Sequence, residues 1–249
     1  MDVNCGNVGS RGGPGGQANG DWMHFNAIDY NENLDQIVLS SRFQDEIYII
    51  DHSTTTEEAA SHSGGDSGMG GDFLYRWGNP SNYDRGVNSD EILGDQHSVN
   101  WIDDGYPGAG NLILYNNKHT TNSASVLEIE TPINSNGTYD IDNGEPYGPN
   151  SWRWIHGPSG SFQTQMQGGA FRLPNGNTLI TDADDAYIFE VRESGSTQWS
   201  YDHPGGNSMI ARAQKYGLEF FEVEELFFGD INSDGIVNIL DIVLLVNIV

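Results

Sequence analysis

QGGAFRLPNGNTLITDADDAYIFEVRESGSTQWSYDH, residues 167–203, reads as four short strands joined by three turns. GAFRLP, TLITDA, YIFEVRE and TQWSYDH are rich in β-branched and aromatic residues, and PNGN, DADDA and ESGS between them are turn chemistry. None of the four segments is long enough for a helix of ordinary length, and glycine or aspartate interrupts the chain every five to eight residues.

Two further copies precede it. DWMHFNAIDY, DQIVLSSR, DEIYIID and FLYRWGNP lie within residues 21–80, and GDQHSVNWID, GNLILYNN, SVLEIE and SWRWIHG within residues 94–157. In each copy an apolar run (Ile37, Leu112, Leu179) is followed by a glutamate (Glu46, Glu128, Glu190) and then a tryptophan (Trp77, Trp154, Trp199). Four strands per repeat with an aromatic in the last strand is the pattern of a propeller blade. The expected fold is therefore all-β, a partial β-propeller of about three four-stranded blades over residues 21–205. Residues 53–71 and 131–150, rich in Gly, Ser, Thr and Asn, are expected to be long loops between third and fourth strands. Residues 1–20 read as a Gly-rich inter-blade segment and 206–228 as a connector of helical or mixed character. Three blades do not close a ring, so an open arc is expected.

The 249 residues carry 36 acidic and 10 basic side chains, a formal charge of −26. A nucleic-acid backbone or an anionic membrane surface is a poor partner for such a chain. Glycine, at 32 residues, is about twice its usual share, which argues against a helical bundle, while 11% aromatics argue against disorder. The single Cys5 excludes a disulfide framework and any CxxC pair. No run approaches the roughly 20 apolar residues of a membrane span, and the first 20 residues show neither the basic nor the apolar region of a signal peptide. Only two lysines, Lys118 and Lys215, are present and no phosphate-cradling GxxxxGK[ST] loop, so no nucleotide cofactor is expected.

GDINSDGIVNILDIVLLVNIV, residues 229–249, carries a second kind of signal. Asp230, Asn232, Asp234, Asn238 and Asp241 fall at positions 1, 3, 5, 9 and 12 of a calcium loop, with Gly235 at the sharp bend and Ile236 offering its carbonyl at position 7. Alternating oxygen donors wrapped round one hard cation predict a Ca²⁺ site. The loop and the apolar segment after it resemble one repeat of a type I dockerin, which implies a cohesin-type or cell-surface partner.

Residues that could do chemistry concentrate at the blade openings. His24 and Asn26 are two apart at the start of the first blade, His97 opens the second at the equivalent place, and Arg42 follows the apolar run IVLSS. Inner strands of a propeller line the central channel, so two imidazoles, an amide and a guanidinium are expected to converge there as a local anion site in an acidic protein. Structural histidines at strand ends and a zinc site are the other readings, the latter lacking a third His or Cys at ligand spacing. GDSG at residues 65–68 sits in a glycine-rich insertion with no positioned histidine and reads as loop. His52, His62, His119, His156 and His203 read as surface residues, and Asp182, Asp184 and Asp185 as a solvated turn.

The segments DWMHFNAIDYN, IVLSSR and GDQHSVNW together resemble the bacterial arylsulfotransferases, nucleotide-independent enzymes with a six-bladed propeller. The resemblance implies a sulfohistidine nucleophile at His97, sulfate binding by His24 and Arg42, a binding asparagine at Asn26, and an aryl sulfate and a phenol as substrates. It also implies a secreted or periplasmic location. A non-catalytic propeller serving as a binding or scaffold module of a secreted carbohydrate-processing assembly is the alternative reading, and a metal-dependent or lyase-type enzyme on the same channel is another.

Overall fold

The computed structural model describes residues 21–120, 123–140, 148–157, 163–205, 208–217, 220 and 236. Among the described residues twelve strands form three antiparallel four-stranded sheets. The first holds β1 (Phe25–Asn31), β2 (Gln36–Ser41), β3 (Glu46–Asp51) and β4 (Tyr75–Trp77) in that order. The second holds β5 (His97–Trp101), β6 (Leu112–Thr120), β7 (Ser123–Glu130) and β8 (Ser151–His156). The third holds β9 (Gly169–Arg172), β10 (Thr178–Asp182), β11 (Tyr187–Val191) and β12 (Thr197–Asp202). Each sheet pairs its strands in chain order, which is the up-and-down topology of a propeller blade. The three expected blades are thus present, and the marker tryptophans all lie on fourth strands.

Side-chain alternation explains how the blades stack. In β6 and β7, Leu112, Leu114, Leu127 and Ile129 face the first blade and pack with Val38, Ile47, Ile49 and Trp77. Ile113, Tyr115 and Val126 point the other way and pack with Ala170, Ile180, Phe189 and Val191 of the third blade. Successive strand residues face opposite sides of a sheet, so a blade covered on both faces must be apolar at consecutive positions. That is why LILY stands uninterrupted at residues 112–115 of the middle blade. Leu114 is fully buried, and truncating it to alanine would cost about 2–5 kcal/mol.

The long loops fall where expected, between β3 and β4 and between β7 and β8. The first contains α1 (Thr56–Ala59), begun by a Thr55/Glu58 capping box. Residues 208–217 contain no helix; the rest of the stretch 208–228 read as helical or mixed lies, apart from Phe220, outside the described residues. Along the third blade, the Ile210 N–H donates to the Ala183 carbonyl and the Gly168 N–H to the Ala211 carbonyl. Backbone polar groups there are satisfied by the neighbouring blade, which favours an extended path over a helix.

The chain divides into two units, Met1–Gln214 and Lys215–Val249. Of the calcium-loop positions, Asp230, Asn232, Asp234, Asn238 and Asp241 lie outside the described residues, and Ile236 presents an exposed side chain. No helix among the described residues is long and apolar enough to cross a membrane.

Candidate active site

His97 is the first residue of β5, the edge strand of the second blade, and is buried. Gln96 before it anchors the strand: its amide nitrogen lies 3.1 Å from the Ser41 carbonyl, 2.8 Å from the Glu46 carbonyl and 3.2 Å from Ser40 Oγ, all in the first blade. The backbone beside the imidazole is forced. Asp95 and Ser98 have φ of 48° and 57°, and a register shift separates His97 from Asn100 in the pairing with β6. Non-glycine residues reach the left-handed region only when the surroundings impose it, and such residues gather at functional sites.

The ring has three neighbours. His97 Nδ1 lies 2.9 Å from the Asp95 carbonyl and 2.8 Å from Asn117 Oδ1, and the Gln167 N–H donates across 3.3 Å to Nε2. Burial pushes the His97 pKa below the ordinary histidine value; the bond to Asn117 opposes this and the positive charge of Arg42 adds to it. The imidazole is therefore neutral at neutral pH.

Arg42, just after β2, reaches the same place. Its Nη2 lies 3.4 Å from Asp95 Oδ2, an oxygen it shares with the Lys118 ammonium. Its Nε is buried with no hydrogen-bond partner. A guanidinium held by one long contact, with an unmatched N–H beside a neutral histidine, is a donor suited to an anion. The Arg42 guanidinium also lies 5.5 Å from the centre of the Phe43 ring.

The sequence pattern that defines the arylsulfotransferase (ASST) family matches residues 6–184. The chain belongs to the arylsulfotransferase family. No curated protein matches it. Among solved structures it is similar to virginiamycin B lyase from Staphylococcus aureus, 11% identical over 75% of this chain and 44% of that one, with a TM-score of 0.40. A streptogramin B lyase is 10% identical over 76% and 44%, with a TM-score of 0.42. A protein of unknown function from Bacteroides caccae is 10% identical over 74% and 47%, with a TM-score of 0.41. The chain spans less than half the length of each of these three.

The candidate site gathers some of the residues singled out in the sequence and not others. Arg42 and His97 share Asp95 as a neighbour. His24 precedes β1 instead of lying on it, with φ of 49°, and its Nδ1 is 2.5 Å from Asp21 Oδ2 while its ring packs against Phe43 at 4.7 Å. The Arg42 N–H donates to the His24 carbonyl, so His24 joins the Arg42 neighbourhood through the backbone. Asn26 turns its amide nitrogen to the Gln96 carbonyl, 2.7 Å away, and thereby ties the two blades. Its buried Oδ1 has no hydrogen-bond partner.

Sequence reading missed Asp95, Asn117 and the segment 164–168. Asp182, expected in a solvated turn, is buried, and burial raises its pKa; it accepts the Thr164 hydroxyl, while Asp184 accepts the Gln165 N–H across 2.7 Å. These two acids hold the segment that meets His97. The Asn-Asn at residues 116 and 117, at the end of an apolar strand, was the available signal.

Elsewhere, Ser67 of GDSG donates its hydroxyl to Asp51, and His62 pairs with Asp72, so the two form no serine–histidine pair. His52 is exposed, bonded to Asp35. His156 is half-buried against Phe189, and burial lowers its pKa, which corrects its reading as a surface residue. Among the described residues no cluster of three His, Cys, Asp or Glu side chains could hold a metal ion.

Proposed function

We propose that this chain transfers a sulfuryl group from an aryl sulfate to a phenol through a sulfohistidine at His97, without a nucleotide. The observation that carries the reading is the buried, neutral His97 beside Arg42, whose Nε lacks a partner. Family membership supports the same chemistry.

Sulfuryl transfer resembles phosphoryl transfer in having little covalent work for the protein beyond positioning and charge stabilisation. Arg42 holds sulfate oxygens through its forked donors. The neutral His97 ring attacks sulfur; the N–S bond forms as the S–O bond to the aryl group breaks, and the electron pair leaves on the phenolate oxygen. His24, oriented by Asp21, donates to that oxygen or to a sulfate oxygen. An acceptor phenol then attacks the sulfur, gives its proton to solvent and regenerates the free ring.

Mixing the chain with p-nitrophenyl sulfate in the absence of acceptor tests this reading. The expected result is a burst of about one nitrophenol per active site and a mass gain of one SO₃ on the peptide containing His97. His97→Ala is expected to abolish both. A burst that survives in His97→Ala would move the nucleophile elsewhere, and no burst in the parent chain would favour a binding or scaffold module.

We also infer that Asp230, Asn232, Asp234, Asn238, Asp241 and the Ile236 carbonyl bind one Ca²⁺, supported by the number and spacing of oxygen donors. Calcium titration of the full chain should release heat that Asp234→Ala lacks; equal heats would dismiss the site. A cohesin-type partner and a secreted or periplasmic location accompany this reading.

A further inference from the structure

His97 has two ring nitrogens, and only an unprotonated one can attack sulfur. The three groups that meet the ring decide which it is. Asn117 is buried, and its Nδ2 lies 3.0 Å from the Thr164 carbonyl and 2.8 Å from the Gln167 carbonyl. A carbonyl can only accept, so both must face the NH₂ end of the amide. The opposite orientation would set Oδ1 against two carbonyl oxygens. The orientation is therefore fixed, and Oδ1 is the end that meets His97 Nδ1 at 2.8 Å. The Asp95 carbonyl, 2.9 Å from the same nitrogen, is also an acceptor. Two acceptors against Nδ1 require a proton on it. On the other side of the ring, the Gln167 N–H faces Nε2, and two N–H groups cannot face one another.

We propose that Asn117 is a positioning residue for the transfer: locked by the Thr164 and Gln167 carbonyls, it holds His97 in the Nδ1–H tautomer and makes Nε2 the attacking nitrogen. This rests on the sulfuryl-transfer reading for its catalytic part, while the tautomer itself does not.

The step balances on that assignment. The Nε2 lone pair forms the N–S bond, the S–O bond to the aryl group breaks, and the phenolate carries its electron pair away. Nδ1 keeps its proton throughout. The ring gains positive charge as the bond forms, so the Nδ1–H bonds to Asn117 and Asp95 strengthen toward the transition state. The Gln167 N–H loses its acceptor when Nε2 bonds sulfur, and a sulfate oxygen then stands within its reach. Gln167 has φ of 63°, and the two Asn117 bonds help hold this peptide in that conformation. One amide thus orients both the nucleophile and the N–H that faces it.

Nitrogen-15 spectra of the chain labelled at histidine, compared between the parent and His97→Gln to assign the signals, read the tautomer without any turnover. The expected parent spectrum has a protonated Nδ1 and an unprotonated Nε2 at His97. Asn117→Ala should give a mixture of tautomers and slow the burst from p-nitrophenyl sulfate about tenfold to hundredfold, as loss of a histidine's orienting partner does elsewhere, with KM within about twofold. Asn117→Asp keeps an acceptor against Nδ1 but sets its second oxygen against the Thr164 and Gln167 carbonyls, so it should hold the Nδ1–H tautomer less completely than the parent and more completely than Asn117→Ala. A parent spectrum with the proton on Nε2 would overturn the proposal. So would an Asn117→Ala protein with the parent tautomer and burst rate. If the tautomer follows Asn117 as expected while no variant releases nitrophenol, the tautomer assignment stands and the sulfuryl-transfer reading is the one that fails.

Discussion

Glu46 and His97 are each the first residue of a strand, both are buried, and the Gln96 side chain that anchors one bonds to the carbonyl of the other. Their surroundings differ in one respect. Both Glu46 oxygens are met by the Arg76 guanidinium at 2.6 Å, and Asn82 donates to Oε1 at 2.7 Å. His97 has Nδ1 doubly met and Nε2 met only at 3.3 Å. A polar group matched on every side holds a structure together, whereas one left with a weakly used lone pair can react. Glu46, matched on every side, is thus held as scaffold, while the weakly used lone pair on Nε2 leaves His97 able to react.

Removal of Arg76 is expected to have the largest effect. Burial pushes the Glu46 carboxyl up in pKa, against the pull of Arg76 and Asn82. Arg76→Met leaves that carboxylate buried without its counter-charge and should destabilise the first unit by about 3–5 kcal/mol. At the scale of such domains that is roughly 10 °C in Tm, measurable by calorimetry. With the folded pKa above the unfolded one, the loss should be smaller at pH 5 than at pH 8, and Glu46→Gln in the same protein should recover much of it. A loss under about 1 kcal/mol would mean that Glu46 finds other partners.

Arg42 stands beside His97 as Arg76 stands beside Glu46, with the opposite expectation. Its unmatched Nε predicts little effect on folding but a large one on chemistry. Arg42→Ala should leave Tm within a few degrees and slow the burst about 10²- to 10³-fold, the cost of losing one donor to developing negative charge. A variant that loses stability but not rate would place Arg42 with Arg76 in the scaffold.

Much of this was legible in the residues. Four-strand repeats, turns and the two-sided burial of the middle blade follow from local alternation, and Arg42 and His97 stand out because a basic group is rare in so acidic a chain. Asp95 and Asp182 were not legible, and Asn117 only as one of two asparagines after an apolar run, because their roles depend on which carbonyl or hydroxyl a neighbouring segment brings opposite them. His24 illustrates the limit: two-residue spacing from Asn26 placed both on one strand face, but a positive φ turns His24 off the strand toward Asp21. The repeat markers show it too. Ile47 pairs with Trp77, Leu127 with Trp154 and Glu190 with Trp199, so the tryptophan falls opposite the residue after, the residue before and the marker glutamate itself in the three blades.

The pH dependence is a smaller, separable effect. His97 is depressed mainly by burial, then by Arg42, with the Asn117 bond acting in the opposite sense. The neutral, attacking form therefore persists below the ordinary histidine value of about 6.5. kcat/KM should be flat above that pH and fall tenfold per unit only below the depressed pKa, because protonation removes the lone pair. Folding follows the same sign: the unfolded chain binds the proton first, so stability declines as pH falls from the unfolded value toward the folded one. Arg42→Ala should move the acid limb to higher pH by removing a like charge. An unmoved limb would assign the depression to burial alone.

The smallest effect is expected at Arg153, and it tests whether full pairing can be redundant. Glu128, the middle-blade counterpart of Glu46, receives Arg172 at 2.6 Å, Arg153 at 2.9 Å and Asn111 at 2.7 Å. Arg172 is buried with it, but Arg153 is 46% exposed and also reaches Glu193, itself 75% exposed. Water and salt screen an exposed pair, and holding a long side chain in place opposes the gain. With Arg172 still neutralising Glu128, Arg153→Met should cost no more than about 1 kcal/mol, and half-molar salt should shrink even that. Arg172→Met should instead approach the Arg76 value, since the remaining partner is half in solvent. Equal losses for the two arginines, measured by urea denaturation at low and high salt, would show that burial of the partner does not set the strength of these pairs, and the contrast drawn between Glu46 and His97 would then need another cause.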